Sequence, residues 1–515
     1  MFKLAEPFNH VYTEGGYVSI PEFYSGKSVF VTGATGSIGK ILIEKFLRSC
    51  PDIKRIYILI RPKKGVSIQN RLSQIFNVPL FDLIRENNPD AFEKVIPIFG
   101  DIKADELGIS PEDQNVLCQE VSIVIHSAAT IRFDEELKEA FEVNVKGTQK
   151  LVNLSKRMTK IESFVYISTA FSNCTNKDIH EKFYEFPFDT KVLNDFIEKF
   201  PVDVINKCTK FLIGKHPNTY TFSKAMAEVS LKNVHEFPVV VLRPSIVTAC
   251  YKEPLPGWVD NLLGPTALIA TNGKGIVHTF LCRPDIPIDC IPADLVVNSV
   301  IAVGWRSAIL KPKEHLIYNI TSSNKNAITW REVLDNGSII IKKYPFENML
   351  WYPTKHFGTN KFIYNILVTI IHNTPAHIID FIFKLSGRKP FLVKIQDKFY
   401  KSMEFVEFFK FTQFFFHGNN VDKLISTMNE DDKKNFDFDA THIDWIEYIR
   451  SFVLGVRRYI FKEDPKTIES CRKRLFKLKI LHEFMKLLMI FFCLWIVWKL
   501  LDIPAAVARF TAMIN

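Results

Sequence analysis

Three glycines spaced three apart, Gly33, Gly36 and Gly39, constrain this chain more than any other feature in it. They follow a short apolar run of β-formers, Val29, Phe30 and Val31. They precede a helical pattern that begins at Lys40, with Ile41, Leu42, Phe46 and Leu47 apolar. A buried strand that turns into a helix on glycines presents bare backbone N–H groups and a helix N-terminus, which together suit a phosphate. The same triplet also serves ordinary βα turns in which Gly supplies positive φ. The remainder of the chain has to decide between the two.

Further apolar runs at 56–60, 95–99, 121–125, 164–167 and 239–243 alternate with helical stretches. That alternation predicts right-handed βαβ units and an α/β fold with a doubly wound, parallel Rossmann sheet. The second run ends in Arg61, with Lys63 and Lys64 behind it, where an NAD site carries an acid for the ribose 2′-OH. Cations there pair with a 2′-phosphate, so these residues favour NADP(H) over NAD, the alternative being a solvated basic loop. The third run ends in Gly100-Asp101-Ile102, and the fourth in His126-Ser127-Ala128-Ala129-Thr130. Small residues at the C-terminal end of a strand, Ala128 among them, let a cofactor approach the crevice closely. Asn144 begins the next helix and is either structural or part of a proton relay. The fifth run delivers Ser168 and Thr169, and a hydroxyl there would face a nicotinamide. A stretch from Asn173 to Pro217 is too long for a simple connection and is expected to form helices or a lid.

Tyr220-Thr-Phe-Ser-Lys224 follows. Tyr and Lys four apart on a helix share one face, so the ammonium can lie near the phenol and lower its pKa toward the range of acid–base work. Of the fifteen tyrosines in the chain, only Tyr220 has Lys four residues on. Its place after the fifth run is where a Rossmann reductase needs it.

With these stretches in view, the chain resembles the alcohol-forming fatty acyl-CoA reductases, extended short-chain dehydrogenases/reductases with a male-sterility-type C-terminal domain. The matching stretches are Val-Phe-Val-Thr-Gly-Ala-Thr-Gly-Ser-Ile-Gly, Leu-Ile-Arg-Pro-Lys-Lys-Gly, Ile-Ser-Thr-Ala-Phe-Ser-Asn, Tyr-Thr-Phe-Ser-Lys-Ala and Leu-Arg-Pro-Ser-Ile-Val. Pro256 to Asn261 and Gly387-Arg388-Lys389-Pro390 extend the likeness over nearly the whole chain. The resemblance implies reduction of a long-chain acyl-CoA to a primary alcohol and CoA, in two hydride transfers from NADPH. It casts Tyr220 as proton donor, Lys224 as its tuner and ribose contact, and Thr169 as the group that orients the thioester carbonyl. Ser168 is the lesser candidate because its side chain should point away. Cofactor contacts carried over are Gly33, Thr35, Gly36, Ser37, Ile38, Gly39, Arg61, Asp101, Ile102, Ala128 and Lys224, with Asp101 and Ile102 beside the adenine. Departures are Ser37-Ile38, where the family has Phe-Leu, and Phe171, where it often has Tyr.

The implied division is 20–350 for the NADP-binding reductase domain, 351–465 for a helical male-sterility-type domain, and 466–515 for a basic stretch and membrane anchor. Composition agrees with a globular chain of this length: 515 residues, 47% apolar and 24% charged. Phe is abundant, and Phe405, Phe408, Phe409, Phe411, Phe414, Phe415 and Phe416 cluster, which suits either lipid-facing surface or packed core. Much of the net charge of +10 sits between Arg472 and Lys479, so no general nucleic-acid face is indicated. Nine scattered cysteines without a Cys-x-x-Cys pair point to a reduced, cytosol-facing chain without a zinc site. Met1 to Gly16 lacks the apolar core of a signal peptide.

Phe362 to Leu385 is apolar but holds His372, Pro375, His377 and Asp380, which reads as a helical hairpin packed on the core or lying in a membrane interface. Phe484 to Leu501 is eighteen apolar residues broken by Lys486 and Lys499 near its ends, carries Trp495 and Trp498, and follows a basic run. It reads as a single-pass anchor in an intracellular membrane (endoplasmic reticulum or peroxisome) with the reductase on the cytosolic side, an interfacial helix being the alternative. Residues 502–515 are apolar enough to dip back into the bilayer, and a homodimer is left open. Two rivals remain at this stage. One is another membrane-bound extended reductase, of steroid or sugar-nucleotide type, and the other is a catalytically silent NADPH-binding membrane protein.

Overall fold

The computed structural model describes residues 12–13, 16–62, 65–186, 190–500, 509 and 511–512. The expectations placed on Lys63, Lys64 and most of 502–515 fall outside them, as do residues 1–11, 14 and 15 of the N-terminal stretch.

Seven strands form one parallel sheet: β1 (Ser28–Thr32), β2 (Arg55–Ile60), β3 (Val95–Phe99), β4 (Val121–His126), β5 (Ser163–Ile167), β6 (Val239–Pro244) and β7 (Leu316–Ile320). Their order across the sheet is 3-2-1-4-5-6-7. The chain therefore reverses direction between β1 and β4, and the loops after these two strands border the crevice where open α/β sheets bind ligands. Six of the strands are the apolar runs of the sequence. The seventh, Leu-Ile-Tyr-Asn-Ile, hides its pattern because Asn319 sits inside it, donating to the carbonyls of Ile179 and His417 at 3.1 and 2.8 Å.

Alternate residues of the strands feed two cores, as the two-residue pleat requires. Val29, Val31, Ile123, Ile125, Val165 and Ile167 face one side. There, helices α1 (Ser37–Ser49) and α4 (Ala293–Leu310) pack. Phe30, Val124, Phe164 and Tyr166 face the other, under α2 (Gly147–Ser155) and α3 (Thr219–Leu231). Helix α4 is apolar and long enough to cross a membrane, yet it is buried against α1 and the sheet.

The stretch after Asn173 holds a short strand, Asp178–Ile179, and the helices Thr190–Lys199 and Val202–Leu212. Its strand pairs in parallel with Phe415–Phe416 of the C-terminal part. Phe362 to Leu385 is one continuous rod rather than a hairpin by itself: α5 (Lys361–Val368), a π turn at Thr369–Asn373, and α6 (Thr374–Leu385). At the π turn the Thr374 hydroxyl bonds the Thr369 carbonyl at 2.9 Å, one residue before Pro375. The hairpin arises one element later, when α7 (Leu392–Phe405) folds back across Gly387–Pro390. Helix α8 (Trp445–Gly455) returns to the reductase core, and α9 (Ile468–Leu500) follows it. Helix α9 runs 33 residues, well past the apolar segment alone, and no part of its apolar window is buried.

Candidate active site

Each of the three glycines is required for a different reason. Gly33 has φ +77°, and a Cβ there would lie 2.7 Å from the backbone N of Ala128, so its bareness lets the β1 and β4 loops meet. A Cβ on Gly39 would come 2.6 Å from the Ala34 Cα, which would force α1 off its own loop. Gly36, at the N-cap of α1, has only the Gly33 carbonyl at 3.4 Å. It is exposed beside Thr35, so the surface at the helix N-terminus is bare backbone. A nucleotide pyrophosphate fits such a surface by charge and by access.

The rest of the crevice is pinned by buried polar groups. His126 bonds Thr32 through Nδ1 at 2.7 Å and Thr148 through Nε2 at 3.0 Å, and burial pushes its pKa down to about 3, so the ring is neutral. The Ala128 N–H donates to the Thr32 hydroxyl at 3.2 Å. Asn144, inside a π turn, accepts from the Thr130 N–H at 2.9 Å and donates to the Ser223 hydroxyl at 2.9 Å. It thereby clasps the β4 loop to α3. Arg61 lies 3.1 Å from the Asp101 carboxylate at the open end of β2, and Ile102 is buried against Gly147. Ile38 packs on the core below.

One connection had no signal in the sequence. Ser37 donates to the Asp260 carboxylate, Lys40 pairs with the same carboxylate at 2.8 Å, and Asn261 donates to Ser37 at 2.9 Å. The segment that carries them is held from beneath. At Gly257, with φ +77°, the chain crosses α8 so closely at Ser451 and Gly455 that neither glycine has room for a Cβ. The C-terminal part thus supports the loop on which the nucleotide site is built, across more than two hundred residues of sequence.

Helix α3 starts at Asn218, whose side chain accepts from the Thr221 N–H at 2.9 Å. At its second residue, Tyr220 stacks on Phe133 with ring centroids 5.5 Å apart, and Thr169 lies beside its hydroxyl. Lys224 donates to the Ile167 carbonyl at 2.8 Å and lies 4.7 Å over the Tyr166 ring. Burial pushes the Tyr220 phenol up to about 12, the neighbouring Thr169 opposing it only in part. Burial also pulls the Lys224 amine down to about 7, against the pull of Glu228. The lowered Tyr220 pKa expected from the spacing is therefore corrected. The amine is drawn to a carbonyl and a neighbouring ring, and desolvation of the phenol outweighs it. Ser168, one residue past β5, does point away, and its hydroxyl bonds Glu228.

Phe133 is the second residue that sequence reading passed over. From Tyr220 it opens a run of aromatic rings. Phe133 meets Phe409 at 6.1 Å, Phe409 meets Phe171 at 5.1 Å and Phe408 at 5.3 Å, and Phe171 meets Phe414 and Phe416. Phe171 thus belongs to this cluster. A cavity of about 590 Å³, lined by Lys361, Glu404, Glu407, Phe408, Phe411 and Thr412, opens at its far end. Among the described residues no group of His, Cys, Asp or Glu is arranged to hold a metal ion.

The sheet order, the bare loop and the Tyr–Lys pair define a Rossmann-type oxidoreductase that uses a nicotinamide cofactor. Residues 31–300 match the NAD-binding male sterility protein family and residues 371–463 the Sterile male sterility protein family. Fatty acyl-CoA reductase 2 of Mus musculus is 40% identical over 491 residues, 95% of each chain. Fatty acyl-CoA reductase 1 of Homo sapiens is 37% identical over 494 residues, 96% of this chain and 95% of that one. The fold matches the terminal R domain of the myxalamid PKS-NRPS pathway at TM-score 0.58 and 17% identity, over 85% of this chain and 92% of that one. The chain belongs to the fatty acyl-CoA reductases.

Proposed function

We propose that this protein reduces long-chain fatty acyl-CoA to the primary alcohol with release of CoA, using NADPH, while anchored in a membrane. The observation that carries the reading is the Tyr220 phenol, set beside Thr169 just past the end of β5 and continued outward by aromatic rings. An apolar wall that starts at the proton donor and runs into the C-terminal domain suits an acyl chain better than a sugar. The cofactor supplies hydride, twice for each alcohol formed.

Gly33, Thr35, Gly36, Ser37, Ile38 and Gly39 would hold the pyrophosphate end of the cofactor. Asp101 and Ile102 would flank the base, Ala128 would give access to the crevice, and Lys224 would meet the ribose. With a pKa near 12, Tyr220 keeps its proton at every physiological pH, which suits an acid that must give a proton to a developing alkoxide. Thr169, beside that phenol, is placed to share in stabilising negative charge on the substrate oxygen. Asn144 acts through α3, by fixing Ser223 between the two catalytic side chains.

Residues 20–350 carry this chemistry, and 351–465 complete it by supporting Gly257 and supplying Phe408 and Phe409. Residues 466–515 hold the anchor, with the reductase on the cytosolic side of an endoplasmic reticulum or peroxisomal membrane. The test is product analysis of the purified full chain over a panel of acyl-CoAs. Alcohol and free CoA are expected from long chains with NADPH, and no alcohol at any chain length would sink the reading.

Arg61 is exposed at the end of β2, free to turn from Asp101 to a 2′-phosphate. Arg61→Ala is expected to raise the KM for NADPH by about tenfold and leave the KM for NADH unchanged, one charge-assisted contact being worth about 1.5–3 kcal/mol. Equal changes for both cofactors would show that Arg61 does not read the phosphate. The depressed Lys224 also gives pH a sign. Below about pH 7 the folded protein carries an ammonium there, and as pH rises through that value the positive charge is lost. NADPH-dependent kcat/KM is expected to fall on that alkaline limb, and the limb is expected to vanish in Lys224→Arg, which stays charged.

A further inference from the structure

The rod formed by α5, the π turn and α6 has two unlike stripes. Val368, His372, Ala376 and Asp380 recur every four residues and are buried. His372 accepts from the His278 N–H at 2.9 Å, and Asp380 accepts from the N–H groups of Phe391, Leu392 and Val393 at 2.9–3.0 Å, holding the turn into α7. The other stripe carries Phe362, Ile366, Ile370, Ile378, Phe381 and Leu385, all exposed. An apolar face of this size on a described surface calls for a covering partner.

Two observations say what that partner is. First, the rod is tied to the same edge as α9. Trp351 donates to His482 of α9 at 3.0 Å, and a few residues on, the His356 N–H bonds the His278 carbonyl, on the residue that His372 caps. Trp351 and His356 are five residues apart, and five extended residues reach at most about 18 Å. The rod and the start of the unburied apolar helix are therefore near neighbours. Second, Lys384, Arg388 and Lys389 are exposed where the apolar face ends, as anionic headgroups would require.

We propose that the lipid bilayer covers this face, so that the α5–α6 rod lies along the membrane surface as a second attachment beside α9. It lies on the surface and does not cross, because its buried stripe, from Val368 to Asp380, packs on protein. Lys361, at the start of the rod, pairs with Glu407 at 2.8 Å on the wall of the aromatic-ended cavity, which sets the cavity mouth at the bilayer surface. This inference rests on the membrane reading of α9 and extends it to a separate part of the chain.

The test uses the full chain, with Cys493→Ser to remove the exposed thiol, reconstituted in phosphatidylcholine vesicles. An environment-sensitive fluorophore is attached at Phe381→Cys, and in a second variant at Ile378→Cys, with Glu112→Cys as an aqueous control. Blue-shifted emission, quenching by lipids brominated in their acyl chains, and at least fivefold protection from iodide relative to position 112 are expected at both rod positions. Iodide access equal to that at position 112 in vesicle-bound protein would overturn the inference and leave the α9 anchor standing. Protection that appears in detergent as protein concentration rises would also overturn it, by making a second copy the occupant. Release of the whole chain from the vesicles by alkaline carbonate would overturn the anchor and this inference together.

Discussion

Tyr220→Phe is expected to lower kcat for acyl-CoA reduction by about 10²–10⁴-fold, the range for removing a positioned general acid. The variant keeps the ring, its 5.5 Å stack on Phe133 and its place on α3, and loses only the hydroxyl beside Thr169. Binding of NADPH, followed by fluorescence, should change by less than threefold, because the cofactor surface is built from the β1 loop. A fall in kcat with unaltered cofactor binding is the signature of a proton donor. Retention of kcat within threefold would remove Tyr220 from the chemistry. Thr169→Val provides the second readout. It deletes the partner that holds the phenol down, so a smaller loss of kcat is expected than for Tyr220→Phe.

The largest expected effect on stability comes from Glu228, which no motif flagged. Its carboxylate is buried and pairs with the equally buried Arg243 at 2.6 Å, and it accepts from Ser168, Ser172 and Asn173. Arg243 in turn donates to the His180 and Lys182 carbonyls at 3.1 and 3.0 Å. This cluster ties β6, α3, the end of β5 and the stretch after Asn173 into one unit under the active site. Glu228→Ala leaves a guanidinium buried without its counter-charge, and removing one partner of such a pair costs about 3–5 kcal/mol. A lowered urea midpoint is the measurement. Glu228→Met with Arg243→Leu should recover much of the loss, because both charges then leave together. An unchanged midpoint in Glu228→Ala would mean that the pair does not hold the fold.

The sequence was legible where chemistry is local. Alternation of apolar runs with helices gave the doubly wound sheet, since burial on both faces of a parallel sheet requires such runs. The triplet of glycines gave the loop, because a tight turn and a close helix leave no space for Cβ atoms at Gly33 and Gly39. The placing of Tyr220 and Lys224 on one helix was legible because four residues are about one helical turn.

Relations across space were not. The sign of the Tyr220 shift depends on how much water the folded crevice excludes, and on Lys224 having a carbonyl closer to hand than the phenol. Phe133 and Phe409 lie far apart in the chain and meet only because the C-terminal part closes on the β4 loop. Asp260 reaches Ser37 because Gly257 and Gly455 let two backbones touch. Ala293–Leu310 and Pro465–Lys499 are both long and apolar enough to cross a membrane, yet one is core and the other has an apolar window with no part buried. Local pattern determines which surfaces must leave water. Only the assembled fold determines which of them find protein to cover them, because that depends on what else the chain brings to the same place.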